Sequence, residues 1–283
     1  VELLNETQWK TWLRASAREP NVEALVEEGV DVFKFVLNVM LVWGVTADGF
    51  FDAFRRKTEV NVNRHLQHQQ LTRVRALARR GGRARVAVLD LDGVLAAYPE
   101  HWLDYVFDRA AVRVALDAFS LLSGATGATL PRELYARLKH DYRAGGMEVV
   151  VPPLPGAVQF TQELRKMGYV IVIVSARPVD RYKRLYSDTV RWLKEHHVAY
   201  DAILWEPHSK EDRIITELPE VEFVLEDDPL NAEKLRRAGI NAFLLDRPYN
   251  RGGAVDGVRL VAGFDAVLGI VSETTATGKE ITR

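Results

Sequence analysis

The segment Val86–Leu95, VAVLDLDGVL, constrains the fold of this chain more than any other stretch. A run of β-branched and apolar residues stops abruptly at Asp90, Leu91, Asp92 and Gly93. A strand that is apolar on both faces belongs in a parallel sheet covered by helices on both sides. Open α/β sheets gather their chemistry at the carboxyl ends of the strands, and Asp90 and Asp92 follow such an end. Asp is depleted in strands and costly to bury without a partner. Asp-Gly is also ordinary turn chemistry, so taken alone the segment fits a surface turn and a reactive site equally well.

The rest of the chain repeats the pattern. Val170–Val174 ends in Ser175-Ala-Arg177-Pro178, and Ile203-Leu-Trp205 is followed by Glu206, His208 and Lys210. Val221–Leu225 ends in Glu226-Asp227-Asp228-Pro229, and Ala242–Leu245 runs into Asp246-Arg-Pro-Tyr-Asn250. Amphipathic helical stretches separate these runs, and strands alternating with helices at this spacing predict a Rossmann-like parallel sheet of the α/β class. Residues 97–151 interrupt the alternation with an insertion that reads as helical, containing Trp102, Leu103, Val106, Phe107, Leu134 and Leu138. Residues 272–283 read as a polar tail. The α/β domain is therefore expected over 86–271.

Ahead of it, residues 1–80 read as all-helical. Asn21 is a helix cap, and Val22, Leu25, Val26, Val30, Phe33, Val36, Leu37, Met40 and Leu41 follow helical periodicity over a wide arc. An arc that wide implies burial on more than one side, as in a bundle or a dimer interface. Gly44 ends this helix and a second begins near Asp48. Glu28 and Asp31 lie three apart, on one helical face. Two acids facing inward from an apolar helix are expensive unless they hold a cation. The stretch Arg73–Arg85, RVRALARRGGRAR, supplies a linker at 81–85 and reads as a solvated joint.

Composition excludes several classes. A formal net charge of −1 over 283 residues provides no global basic field for nucleic acid. The chain has no cysteine, which removes disulfides and thiolate metal sites and fits a cytoplasmic protein. The most apolar segment, Val30–Val45, carries Asp31, Lys34 and Asn38, against a membrane span.

In a parallel sheet the four strand-end loops share one edge, which gathers Asp90, Asp92, Ser175, Arg177, Lys210, Glu226, Asp227 and Asp228. Hard oxygen ligands beside cations and a hydroxyl suit a phosphoryl group with Mg²⁺. No G-x-S-x-G elbow is present for a serine hydrolase. DLDGV, VSARP, an isolated Lys and LEDDP, in this order, resemble the haloacid dehalogenase superfamily of phosphatases across about 85–271. The resemblance implies Asp90 as nucleophile, Asp92 as general acid and base and as a metal ligand through its carbonyl, Ser175 as a phosphoryl ligand, and Lys210 as a partner of Asp90. It implies Asp227 as a metal ligand, paired with Glu226 or, read one residue later, Asp228. The insertion sits where that family places a helical cap, which favours a small phosphomonoester. Arg177 and the Arg-Pro-Tyr-Asn ending resemble the 5′(3′)-deoxyribonucleotidase branch; a polynucleotide 3′-phosphatase is the alternative.

The helical part has a likeness of its own. Glu28-x-x-Asp31, then Lys57-Thr-Glu-Val-Asn61-Val-Asn63-Arg64, and upstream Leu4–Trp12, resemble the all-α nucleotide pyrophosphohydrolases of the dimeric dUTPase and MazG-like group. The resemblance implies Glu28, Asp31 and Glu2 as Mg²⁺ ligands and Lys57, Asn61 and Arg64 as phosphate contacts. Two further acids of that pattern would have to lie before Val1. Together the likenesses predict a homodimer that converts a nucleoside triphosphate to monophosphate and then to nucleoside. The alternative for the helices is a dimerisation module alone.

Overall fold

The structure, a computed structural model, describes residues 21–80, 85–119, 130–182, 184–218, 220–251 and 257–277. It divides into two compact units, with the boundary between Val62 and Asn63.

The first unit holds helix α1 (Val22–Val42) and the start of α2 (Ala47–Arg80). Asn21 caps α1 by accepting from the Ala24 amide at 3.3 Å, and Gly44, at φ +70°, turns the chain after it. The apolar arc expected from the sequence is present and, among the described residues, stays exposed. No residue of α1 is buried, and Val26, Phe33, Phe35, Leu41 and Trp43 are exposed. Among the described residues no single helix is long and apolar enough to cross a membrane.

The second unit is built on six parallel strands: β1 (Val86–Leu89), β2 (Val170–Ser175), β3 (Ala202–Trp205), β4 (Val221–Glu226), β5 (Ala242–Leu245) and β6 (Arg259–Val261), in the order β3-β2-β1-β4-β5-β6. β1 is central, with Val88 beside Val172 on one flank and Val224 on the other. Successive strand residues face opposite sides, and both sides are apolar. Ala87, Leu89, Ile171, Ile173, Phe223 and Leu225 join one core with α5 (Ala157–Lys166), α6 (Leu185–Glu195) and α9 (Phe264–Thr277). Val86, Val88, Val172, Val174 and Val224 join the other with α7 (Lys210–Glu217) and α8 (Pro229–Arg237). The C-terminal part of α2 packs in this second layer through Leu71, Val74 and Ala78, so its last turns belong to the α/β unit.

The insertion after β1 contains α3 (Tyr98–Ala110) and α4 (Arg132–Ala144), with 3₁₀ turns at Leu116–Ala118 and Met147–Val149. Trp102 and Tyr142 are fully buried and meet edge to face at 5.2 Å, which pins α3 to α4. Two elements differ from the sequence reading. β6 was not anticipated: it is three residues long with Arg259 and Leu260 exposed, too short to show a pattern. α9 runs on to Thr277, through the first part of the expected polar tail, because Val267 and Val271, four apart, are fully buried on its inner face.

Candidate active site

The carboxyl ends of β1, β2 and β4 and the start of α7 bring together the acids and cations singled out from the sequence. Asp90 follows β1 directly, its amide donating to the Leu225 carbonyl at 3.0 Å, so the strand pairing itself fixes its backbone. Its Oδ1 accepts from the Leu91 amide at 2.7 Å, and its Oδ2 accepts from Lys210 Nζ at 2.8 Å. Lys210 also reaches Glu226 Oε1 at 3.0 Å. Lysine opens α7, where a cation opposes the helix dipole; Glu211 and Asp212 in the same turn offset it. The loop before it is held by Glu206, whose Oε1 accepts from the amides of His208 and Ser209 at 3.1 and 3.4 Å.

Asp90, Glu226 and Asp227 offer oxygens that all lie within 4.8 Å of one another, and among the described residues no other acidic or histidine group does this. All three are buried or nearly so, and burial pushes each carboxyl above its ordinary range, Asp227 to about 8. The Lys210 ammonium opposes that shift and is itself held charged by the two acids. Among the described residues these three buried acids face one cation, an uncompensated arrangement, and Glu226 Oε2 has no hydrogen-bond partner. Buried charge of this kind is stable when paired or when it coordinates a metal. Hard oxygen donors with a spare oxygen fit Mg²⁺. Glu226 enters the cluster, whereas exposed Asp228 caps α8 by accepting from the Leu230 amide at 2.8 Å.

Arg177 is fully engaged. Its Nε and Nη2 donate to Asp92 Oδ2 and Oδ1 at 2.9 and 2.5 Å, and its Nη1 donates to Thr189 Oγ1 at 2.8 Å. In this conformation the guanidinium therefore serves Asp92 rather than a phosphate. Ser175, the last residue of β2, is buried with its Oγ accepting from the Arg177 amide at 3.3 Å. Glu148, on the insertion after β1, is buried beside this pair, and among the described residues its Oε2 has no hydrogen-bond partner. Its carboxyl is raised by burial, against the charge of Arg177.

Sequence reasoning missed Tyr249 and Asn250 as site residues, although the Arg-Pro-Tyr-Asn stretch had drawn notice. Tyr249 donates to Asp227 Oδ2 at 2.5 Å, and Asn250 Nδ2 donates to the Asp227 carbonyl at 2.9 Å. Gly93 matters for the same reason. It sits at φ +88°, and a Cβ there would fall on Asp227 Oδ2 and crowd the Tyr249 hydroxyl.

Among the described residues, the acids proposed for the helical part form no cluster of three or more metal-ligating groups. Asp31 is exposed and pairs with Lys34 at 3.4 Å, Glu28 is half-buried, and Lys57, Asn61 and Arg64 are exposed on α2. Glu2, Trp9 and Trp12 lie outside the described residues.

Several solved structures are similar to this chain over about two thirds of its length. A haloacid dehalogenase-like hydrolase from Streptococcus pneumoniae is similar at 17% identity, with 66% of this chain and 97% of that one covered and a TM-score of 0.47. A predicted phosphatase from Clostridium acetobutylicum is similar at 14% identity over 67% and 99% of the two chains, TM-score 0.49. CbbY from Rhodobacter sphaeroides, solved with phosphate, is similar at 20% identity over 66% and 96%, TM-score 0.44. No curated protein matches the chain. Residues 84–267, well over half of the sequence and the whole stretch that carries the four strand-end motifs, match one family, and the chain belongs to it: 5′ nucleotidase, deoxy (pyrimidine), cytosolic type C protein (NT5C).

Proposed function

We propose that the α/β unit hydrolyses nucleoside or deoxynucleoside monophosphates with Mg²⁺ in the acid cluster. The observation that supports this most is the meeting of Asp90 with Lys210, Glu226 and Asp227 at one sheet edge. Asp90, Asp227 and Glu226, with the Asp92 carbonyl, would hold the ion, which when bound supplies positive charge to the phosphoryl oxygens.

The chain's own groups divide the reaction into two displacements. A carboxylate oxygen of Asp90 bonds to phosphorus as the ester P–O bond breaks, and Asp92 gives its proton to the leaving oxygen. Water then attacks the aspartyl-phosphate and loses a proton to Asp92, which frees phosphate and restores Asp90. Arg177 orients the Asp92 carboxylate through its bidentate pair. Protonating the leaving group requires Asp92 to come off the guanidinium. Ser175 and Lys210 steady the phosphoryl charge, and the cap helices α3 and α4 limit access to small substrates. Phosphate release from dUMP, dCMP and a 3′-phosphorylated oligonucleotide under Mg²⁺ tests the assignment. Hydrolysis of the oligonucleotide but neither mononucleotide would favour end repair, and no release from any of the three would refute phosphatase activity.

For the helical unit, the exposed apolar arc of α1 favours self-association. Its exposed Val, Leu and Phe side chains belong to the residue types that each release about 1.5–3 kcal/mol when fully buried. A homodimer through α1 predicts a concentration-dependent sedimentation coefficient, lost in Phe33→Glu. Pyrophosphate release from dUTP or dCTP, abolished by Glu28→Gln, tests the nucleotide pyrophosphohydrolase reading of the same unit.

A further inference from the structure

We propose that Tyr249 is a positioning residue: its hydroxyl holds the Asp227 carboxylate in the orientation that lets the acid cluster take a divalent cation. The proposal rests on the metal-dependent reading given above and assigns one residue's part in it.

Tyr249 reaches Asp227 across two strand-end loops, and the loop that carries it is fastened at several points. After β5 the chain enters a single 3₁₀ turn at Pro248–Asn250, where proline sets the first helical φ. Asn250 closes the turn, its Oδ1 accepting from the Arg247 amide at 2.9 Å. Its Nδ2 donates to the Leu245 carbonyl at 2.8 Å and to the Asp227 carbonyl at 2.9 Å. One buried amide thus ties the end of β5 to the loop after β4. Arg247 pairs with Glu100 of α3, which fastens the loop to the cap helix as well. The Tyr249 ring lies 5.3 Å from that of Phe119.

On this frame the hydroxyl donates to Asp227 Oδ2 at 2.5 Å. The backbone at Gly93 walls the same oxygen from another side, since any Cβ would overlap it. Among the described residues this carboxylate receives no other side-chain hydrogen bond, and Lys210 pairs with Asp90 and Glu226 instead. The partner chosen for Asp227 is therefore a neutral donor. A lysine or arginine at this place would orient the carboxylate too, but would cancel the negative charge a cation needs. A phenol fixes one oxygen, leaves the charge in place and directs the other oxygen by elimination. Hydrogen-bonded partners of metal ligands typically contribute 10–100-fold in affinity.

The test compares full-length wild type, Tyr249→Phe and Asp227→Asn by Mn²⁺ titration, with free Mn²⁺ read by electron paramagnetic resonance. Phenylalanine keeps the ring against Phe119 and removes only the hydroxyl, and thermal melts in EDTA confirm that the variant is folded. Weakening of Mn²⁺ binding by 10–100-fold in Tyr249→Phe, with phosphatase KM unchanged at saturating metal, supports the proposal. Binding within twofold of wild type overturns it, while loss of binding in Asp227→Asn leaves the metal reading standing. Wild type that binds no Mn²⁺, or Asp227→Asn that binds as wild type does, overturns the metal reading and this proposal together.

Discussion

Replacing Lys210 with methionine removes the cation that faces two buried acids, and the structure allows its cost to be worked out. Nζ lies 2.8 Å from Asp90 Oδ2 and 3.0 Å from Glu226 Oε1. At an effective dielectric of about 20, each contact corresponds to about 6 kcal/mol of attraction. Desolvation of the ammonium offsets much of this, and breaking a buried pair by removing one partner costs about 3–5 kcal/mol. Methionine fills similar volume, so the loss is electrostatic rather than a cavity. In urea, with a slope of about 3 kcal/mol/M for a unit of this size, the midpoint should fall by about 1–1.7 M at pH 7.5 in EDTA. The pH dependence has a definite sign. Asp90 and Glu226 already have carboxyl pKa values raised in the folded state. A raised acid binds more protons folded than unfolded, so it favours the folded state as pH falls. Lys210→Met raises both acids further, and the gap to wild type should therefore shrink between pH 7.5 and pH 5.5. Tryptophan fluorescence in urea measures both midpoints. A variant within 0.3 M of wild type at pH 7.5, or a gap that widens toward acid, would refute the reasoning.

Three further outcomes follow from the geometry. Gly93→Ala places a side chain at φ +88° and onto Asp227 Oδ2; it should cost about 1–3 kcal/mol from backbone strain alone, read by thermal melting, and abolish phosphate release. Arg177→Met leaves Asp92 without its bidentate partner and should lower kcat by about 10²-fold or more, with a smaller effect on KM; equal effects on both would point to substrate binding instead. Lys139, over the Trp102 ring at 4.3 Å, is pushed down to about 7 by burial and the nearby Arg143. A lowered lysine binds fewer protons folded than unfolded, so its destabilisation is full below pH 7 and is relieved as pH rises toward 10. Lys139→Met should flatten that part of the stability profile in urea melts.

Much of the α/β unit was legible because its strands carry signals on both faces. Val86–Leu89, Val170–Ser175 and the inner residues of β4 are apolar without alternation, which only a doubly covered parallel strand requires. The acids and Lys210 were legible because strand ends in such a sheet share one edge. β6 was not, since its side chains are mostly exposed and its three residues show no period. Tyr249 and Asn250 were invisible as site residues because their contacts span two loops that only the folded sheet brings together. Glu226 and Asp228 could not be separated by spacing; the strand continues to Glu226, and Asp228 has left it to begin a helix. On α1 the periodicity was clear, but a wide apolar arc states that something covers it without stating what.

The central claim is that Asp90 is the nucleophile of a nucleoside monophosphate phosphatase. Intact-protein mass spectrometry during turnover of dUMP or dCMP with Mg²⁺, quenched in acid, tests it most directly. The account predicts a phosphorylated adduct on the peptide containing Asp90 in wild type and neither adduct nor phosphate release in Asp90→Asn. Phosphate release by Asp90→Asn at the wild-type rate would contradict it.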